Sequence, residues 1–136
     1  MKGVRAMKKE GILHPELSYM IASLGHGDRF CISDAGLPIP PQVNRIDLAY
    51  VPGSPPFFSV LDVILKEIAV EEVFWAMEVS KDPSLAGKFE KRFRDMKCSS
   101  VTHEDFREML PEMRFIVRTG EYTPFSNIII SCGVPF

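Results

Sequence analysis

Val73-Phe74-Trp75-Ala76-Met77 is apolar at every position. A strand with one wet face alternates polar and apolar side chains, whereas a strand covered on both faces reads as an unbroken apolar run. The segment therefore predicts a central strand between two covering layers. Helices flank it in sequence. Val60, Leu61, Ile64, Leu65 and Ile68 form a wide apolar stripe at helical spacing, preceded by Ser54 as a candidate cap. Asp82-Pro83 opens a further helix whose Lys88, Glu90, Lys91, Arg92 and Arg94 form a solvated face.

The same alternation of elements runs outward in both directions. Pro15, then Leu17, Met20, Ile21 and Leu24, closed by Gly25, predicts a helix. Phe30 to Ile32 predicts a short strand that stops at Asp34-Ala35-Gly36, where Pro38, Pro40 and Pro41 forbid regular structure. Ile46 to Val51 reads as a second strand and is followed by a loop rich in proline, Pro52 to Pro56. Thr102 with Asp105 resembles a capping box and starts a short helix ending near Pro111. Phe115 to Val117 and Ile128 to Ile130 add two buried strands. Helices mixed with strands that need cover on both faces predict a three-layer α/β domain.

At 136 residues the chain is expected to form a single domain, 1–136. With 16 basic against 18 acidic residues it has no positive field for nucleic acid or an anionic membrane. No apolar stretch approaches the roughly 18 residues of a membrane helix, and no targeting segment is read at the start. Cys31, Cys98 and Cys132 are odd in number and lack C-x-x-C spacing, which fits a reducing cytoplasm better than a disulfide framework or a zinc site.

Ligands of open α/β sheets bind beyond the carboxyl ends of strands, so polar residues that follow strands are the first candidates. Asp34 and Thr119-Gly120-Glu121 qualify, and His26 sits ahead of a strand on the turn Gly25-His26-Gly27. Two of these have a plain structural alternative: His26 as a surface turn residue, Asp34 as the acceptor of an Asx-turn before Gly36. His103 lies near a helix start and also reads as surface, and His14 receives no role. The spacing of His26, His103, Asp34 and Glu121 is too generic to assign a metal. No phosphate-binding glycine loop and no G-x-S-x-G elbow is present.

Leu24-Gly25-His26-Gly27-Asp28, Asp34-Ala35-Gly36-Leu37-Pro38-Ile39-Pro40, Arg45-Ile46-Asp47-Leu48-Ala49 and Arg118-Thr119-Gly120-Glu121 resemble, in order, the D-ribose pyranase and L-fucose mutarotase family. The likeness runs from Met7 to Gly133-Val134, so Met1 to Ala6 reads as a dispensable extension. The loop Gly36 to Pro40 and the stretch Pro52-Gly53-Ser54-Pro55 are similar to the ribose branch. The resemblance implies a three-layer α/β/α domain with a mixed sheet of about six strands. It also implies a cytoplasmic, cofactor-independent isomerase that interconverts pyranose and furanose forms of a free monosaccharide, most simply D-ribose. A fucose-type mutarotase and a non-catalytic sugar-binding protein are the alternatives. His26 would be the acid/base, and Asp34, His103, Phe125, Ser126 and Asn127 would contact the sugar, with no metal. The family's usual tyrosine is Phe125 here. A homo-oligomer, a decamer in the ribose branch, would complete each site with the C-terminal segment of a neighbouring copy.

The chemistry suits a histidine. Ring opening takes a proton from the anomeric hydroxyl and delivers one to the ring oxygen, and imidazole, titrating near 6.5, can do both at neutral pH.

Overall fold

A computed structural model describes residues 6–136. The expected extension Met1 to Ala6 lies outside the described residues except for Ala6. The elements in order are α1 (Pro15–Ala22), β1 (Arg29–Ser33), β2 (Arg45–Asp47), α2 (Phe57–Leu65), β3 (Val70–Ala76), α3 (Pro83–Arg92), β4 (Lys97–Val101), α4 (His103–Met109), β5 (Ile116–Arg118) and β6 (Ile128–Cys132). Short 3₁₀ turns follow β3 and α4.

The strands form one mixed sheet in the order β2-β5-β1-β6-β3-β4. β2, β5 and β1 are parallel neighbours, as are β3 and β4, and β6 runs antiparallel between β1 and β3. Five strands therefore end at one edge of the sheet, the edge at which β6 begins.

Layers form on both faces. On one, Leu17 and Ile21 of α1, Leu61 and Ile64 of α2, and Leu85 and Phe89 of α3 pack against Phe30, Ile32, Val73, Ile128 and Ile130. Trp75 stacks on Phe89 with centroids 5.1 Å apart, and Phe57 and Phe58 meet the same ring edge-on. On the other face Phe106 of α4, with Leu110 and Leu37, covers Cys31, Ile116 and Ile129. The successive residues Cys31 and Ile32 thus enter different cores, as the unbroken apolar runs require.

Several local expectations change. The second strand stops at Asp47, because Asp47 Oδ1 accepts the Ala49 amide and Tyr50 and Val51 turn back onto Ser54. Ser54 does not cap α2; the Phe57 amide donates instead to Glu121 Oε1 at 2.9 Å. His14 caps α1, its Nδ1 accepting the Leu17 amide at 3.1 Å. β3 lies next to the edge strand β4, which was not expected from its polar sequence Lys97-Cys98-Ser99-Ser100-Val101. Asp82 and Thr102 cap α3 and α4 as their spacing predicts.

Candidate active site

At the edge where five strands end, a cavity of about 460 Å³ is lined by Asp34 after β1, His103 after β4, Arg118 at the end of β5 and Glu121 beyond it, and Phe125 and Asn127 before β6. Leu37, Pro38 and Tyr122 help to close it. Each polar residue arrives there because its strand ends there, which is the usual ligand edge of an α/β sheet. The size is that of a small-molecule site.

Asp34 lies at the centre. Its Oδ1 accepts the Gly36 and Leu37 amides at 3.0 and 2.9 Å, which is the expected Asx-turn. Its Oδ2 accepts Asn127 Nδ2 at 3.3 Å, and its own amide donates to Asn127 Oδ1 at 2.8 Å. Turn and site roles therefore coexist, one on each oxygen. Burial raises the Asp34 carboxyl above its ordinary value, against the lowering effect of these donors and of His103.

The His103 ring meets Phe125 edge-on, with centroids 5.1 Å apart. Its amide donates to Glu78, and its buried Nδ1 finds no partner among the described residues. Phe125 takes the left-handed backbone conformation, φ +64°, which few non-glycine residues adopt and which is tolerated where the surrounding structure holds it. Arg118 spans the floor: Nε donates to Ala35 O, and Nη1 to both oxygens of Asp47.

Glu121 ties the site to the scaffold. Oε1 accepts the Phe57 amide and Oε2 the Thr123 amide at 3.1 Å. Burial alone would raise its carboxyl, but these amides outweigh that and hold it below the usual range. Beside it, Gly120 packs on the Ser54 backbone so closely that no Cβ fits.

Two expected residues lie elsewhere. Ser126 is buried and lines a separate cavity of about 180 Å³ with Asp82, Ser84 and Thr123, behind the 121–126 loop. His26 precedes β1 and stands at the opposite edge of the sheet from Asp34; the five residues of β1 span roughly 13 Å at 3.3 Å per residue. It is exposed, with Nε2 3.2 Å from Glu71 Oε1. Thr119, a candidate by position, is buried and bonds Ser33 O, a structural role. Among the residues missed, Arg118 and Tyr122 could have been found from their neighbourhood at the carboxyl end of a strand, Arg118 closing β5 and Tyr122 lying in the loop beyond it.

Among the described residues no three His, Cys, Asp or Glu side chains gather to hold a metal ion, and no helix is long and apolar enough to cross a membrane. Burial keeps the Cys31 thiol protonated, and with the Asp28 charge it pushes Cys132 up to about 11, so neither supplies a thiolate nucleophile.

The family model described as the RbsD / FucU transport protein family matches residues 7–135. The chain belongs to this family. It is 47% identical to a D-ribose pyranase of Geobacillus thermodenitrificans over 131 residues, covering 96% of this chain and 99% of that protein. A D-ribose pyranase of Cutibacterium acnes is 46% identical, with 96% and 100% covered. Among solved structures, that of Bacillus subtilis RbsD complexed with D-ribose superposes with a TM-score of 0.90 at 40% identity, covering 96% of this chain and all of that one. The three-layer fold with a mixed six-stranded sheet is thus that of the RbsD / FucU family.

Proposed function

We propose that this chain is a D-ribose pyranase, an isomerase that interconverts the pyranose and furanose forms of free ribose. The observation that carries the reading is the meeting of Asp34, Asn127, His103 and Phe125 in one cavity with room for a pentose, in a chain nearly half identical to proteins of that activity. The carboxylate and the amide offer acceptors and a donor to vicinal hydroxyls, the free Nδ1 of His103 takes one more, and the Phe125 ring covers an apolar sugar face.

The proposed step balances without a cofactor. Imidazole takes the anomeric hydroxyl proton, the C1–O5 bond breaks with its electron pair passing to O5, and the imidazolium returns the proton to O5. Attack of O4 on C1 then closes the furanose by the same steps in reverse. Reactant and product contain the same atoms at the same oxidation level, so no redox partner or group carrier is needed.

His26 is the proposed acid/base. Since it stands at the far edge of its own sheet, it must serve the cavity of another copy. We therefore propose a homo-oligomer, a decamer as the ribose branch implies, with sites shared between copies. Val134 and Phe136 support this: they lie exposed just past the end of β6, at the His26 edge. The unpaired cysteines favour a cytoplasmic location.

Magnetisation-exchange NMR between the anomeric signals of ribose tests the reading directly. The protein accelerates exchange, and His26→Ala removes most of the acceleration. Mixing His26→Ala with Asp34→Asn restores part of it, because one mixed pairing has an intact site. Full activity in His26→Ala, or a monomer by sedimentation at micromolar concentration, would refute the mechanism.

A further inference from the structure

We infer that Glu71 is a positioning residue for His26, aimed at the imidazole by a bulge in β3. The inference rests on the proposed acid/base role of His26. Along the β3–β6 pair, Val70 stands opposite Cys132 and Glu72 opposite Ser131, which leaves Glu71 as the extra residue between two adjacent rungs. A bulged residue is turned out of the ladder, and bulges commonly re-aim a side chain beside an active site. Here the re-aimed carboxylate reaches His26 Nε2 at 3.2 Å.

Both partners are fixed to the same strand end. Gly27 N–H donates to Cys132 O and Cys132 N–H to Asp28 O, each at 2.8 Å, which clamps the histidine turn onto β6. Gly133 N–H donates to Ala69 O at 2.9 Å, and Gly133 lies so close to Glu71 that a Cβ there would stand 3.4 Å from Glu71 Cβ. The bulge and the turn are therefore held in register by one pair of residues, Cys132 and Gly133.

Asp28, the acid of the histidine turn itself, is engaged elsewhere. Asp28 Oδ2 accepts the Gly25 amide and Arg114 Nη1, both at 2.8 Å. Glu71 is the carboxylate that meets the ring. A carboxylate only accepts, so the shared proton sits on Nε2 and Nδ1 is the nitrogen that exchanges protons with the sugar. When Nδ1 takes the anomeric proton, the resulting cation is already paired. Both side chains are more than half exposed, so the pair contributes little to folding and its loss acts on the rate.

The test compares Glu71→Gln and Glu71→Ala with wild type in ribose exchange, and records the ring ¹⁵N shifts of His26. The expected result is a fall in kcat of about tenfold, a share of the roughly 10² to 10⁴ that positioned acid/base catalysis provides, with KM within about twofold. In Glu71→Ala the ¹⁵N shifts move from a single tautomer toward a mixture. A kcat within twofold of wild type in both variants overturns the inference. His26→Ala is run alongside: its inactivity with active Glu71 variants sinks only the positioning role, whereas its full activity sinks the acid/base reading beneath it.

Discussion

Asp34 and Asn127 hold each other across 93 positions of sequence, the Asp34 amide donating to Asn127 Oδ1 and Asn127 Nδ2 donating back to Asp34 Oδ2. This reciprocal pair joins the exit of β1 to the entrance of β6, two antiparallel neighbours, and it lines the cavity. Ribose would meet groups whose positions are already set.

Asp34→Asn separates charge from shape. The folded carboxyl titrates above its ordinary 3.8, so the folded chain binds this proton more tightly than the unfolded one. This group's contribution is most favourable below the unfolded value and is lost as pH rises through the folded one. Asparagine has no such proton. Thermal melts should show the variant gaining on wild type between pH 4 and pH 7, while ribose titration at pH 7 shows weaker binding. An offset in Tm that is the same at both pH values contradicts the first half.

Glu121 titrates in the opposite sense. Its folded carboxyl lies below the ordinary 4.5, so its contribution is present above that value and is lost as pH falls through the folded one. Glu121→Ala leaves the Phe57 and Thr123 amides without their acceptor and should cost about 1 to 3 kcal/mol by denaturant unfolding at neutral pH. The loss should shrink in acid. A penalty that is constant down to pH 3 would show that the amides find other partners.

Phe125→Tyr adds one hydroxyl to a ring that already lines the cavity. A net hydrogen bond of about 0.5 to 1.5 kcal/mol corresponds to roughly three- to tenfold tighter ribose binding. Calorimetric titration reads this directly. Unchanged or weaker affinity, with partial dissociation of the proposed oligomer, would place the ring edge in a contact between copies.

Gly120→Ala should be the most destabilising of these changes. A Cβ there would collide with the Ser54 backbone, to which Gly120 O is linked through the Gly53 amide at 2.7 Å. Backbone has to move, and we expect a loss of more than about 2 kcal/mol and a Tm several degrees lower. A melt within one degree of wild type would mean the two loops separate freely.

Apolar runs made most of the sheet legible: Phe30 to Ile32 and Ile128 to Ile130 are strands buried on both faces, and the run Val73 to Met77 is strand as far as Ala76, beyond which Met77 is exposed. β4 escaped notice because an edge strand buries little: every position of Lys97–Val101 is exposed or half-buried. The cap of α2 was illegible for another reason. Glu121 lies 64 positions from Phe57, and no local spacing announces a long-range acceptor. Asp34, His103, Phe125 and Asn127 were identified as site residues and do meet. Ser126, which the resemblance groups with them, lines the separate cavity instead, as alternate residues near a strand point to opposite sides. His26 and Asp34 are eight positions apart, yet the extended strand between them carries them to opposite edges of the sheet.

That separation changes what a unit of enzyme is. If turnover needs the start of β1 from one chain and its end from another, an isolated chain holds two half-sites and no whole one. Closed assemblies then contain as many complete sites as chains, whatever their symmetry. Diluted below the dissociation constant of the contact between chains, the protein would lose rate per chain, and activity would fall more steeply than concentration. Saturating ribose would bind only the end that holds Asp34 and could restore turnover only by drawing chains back together.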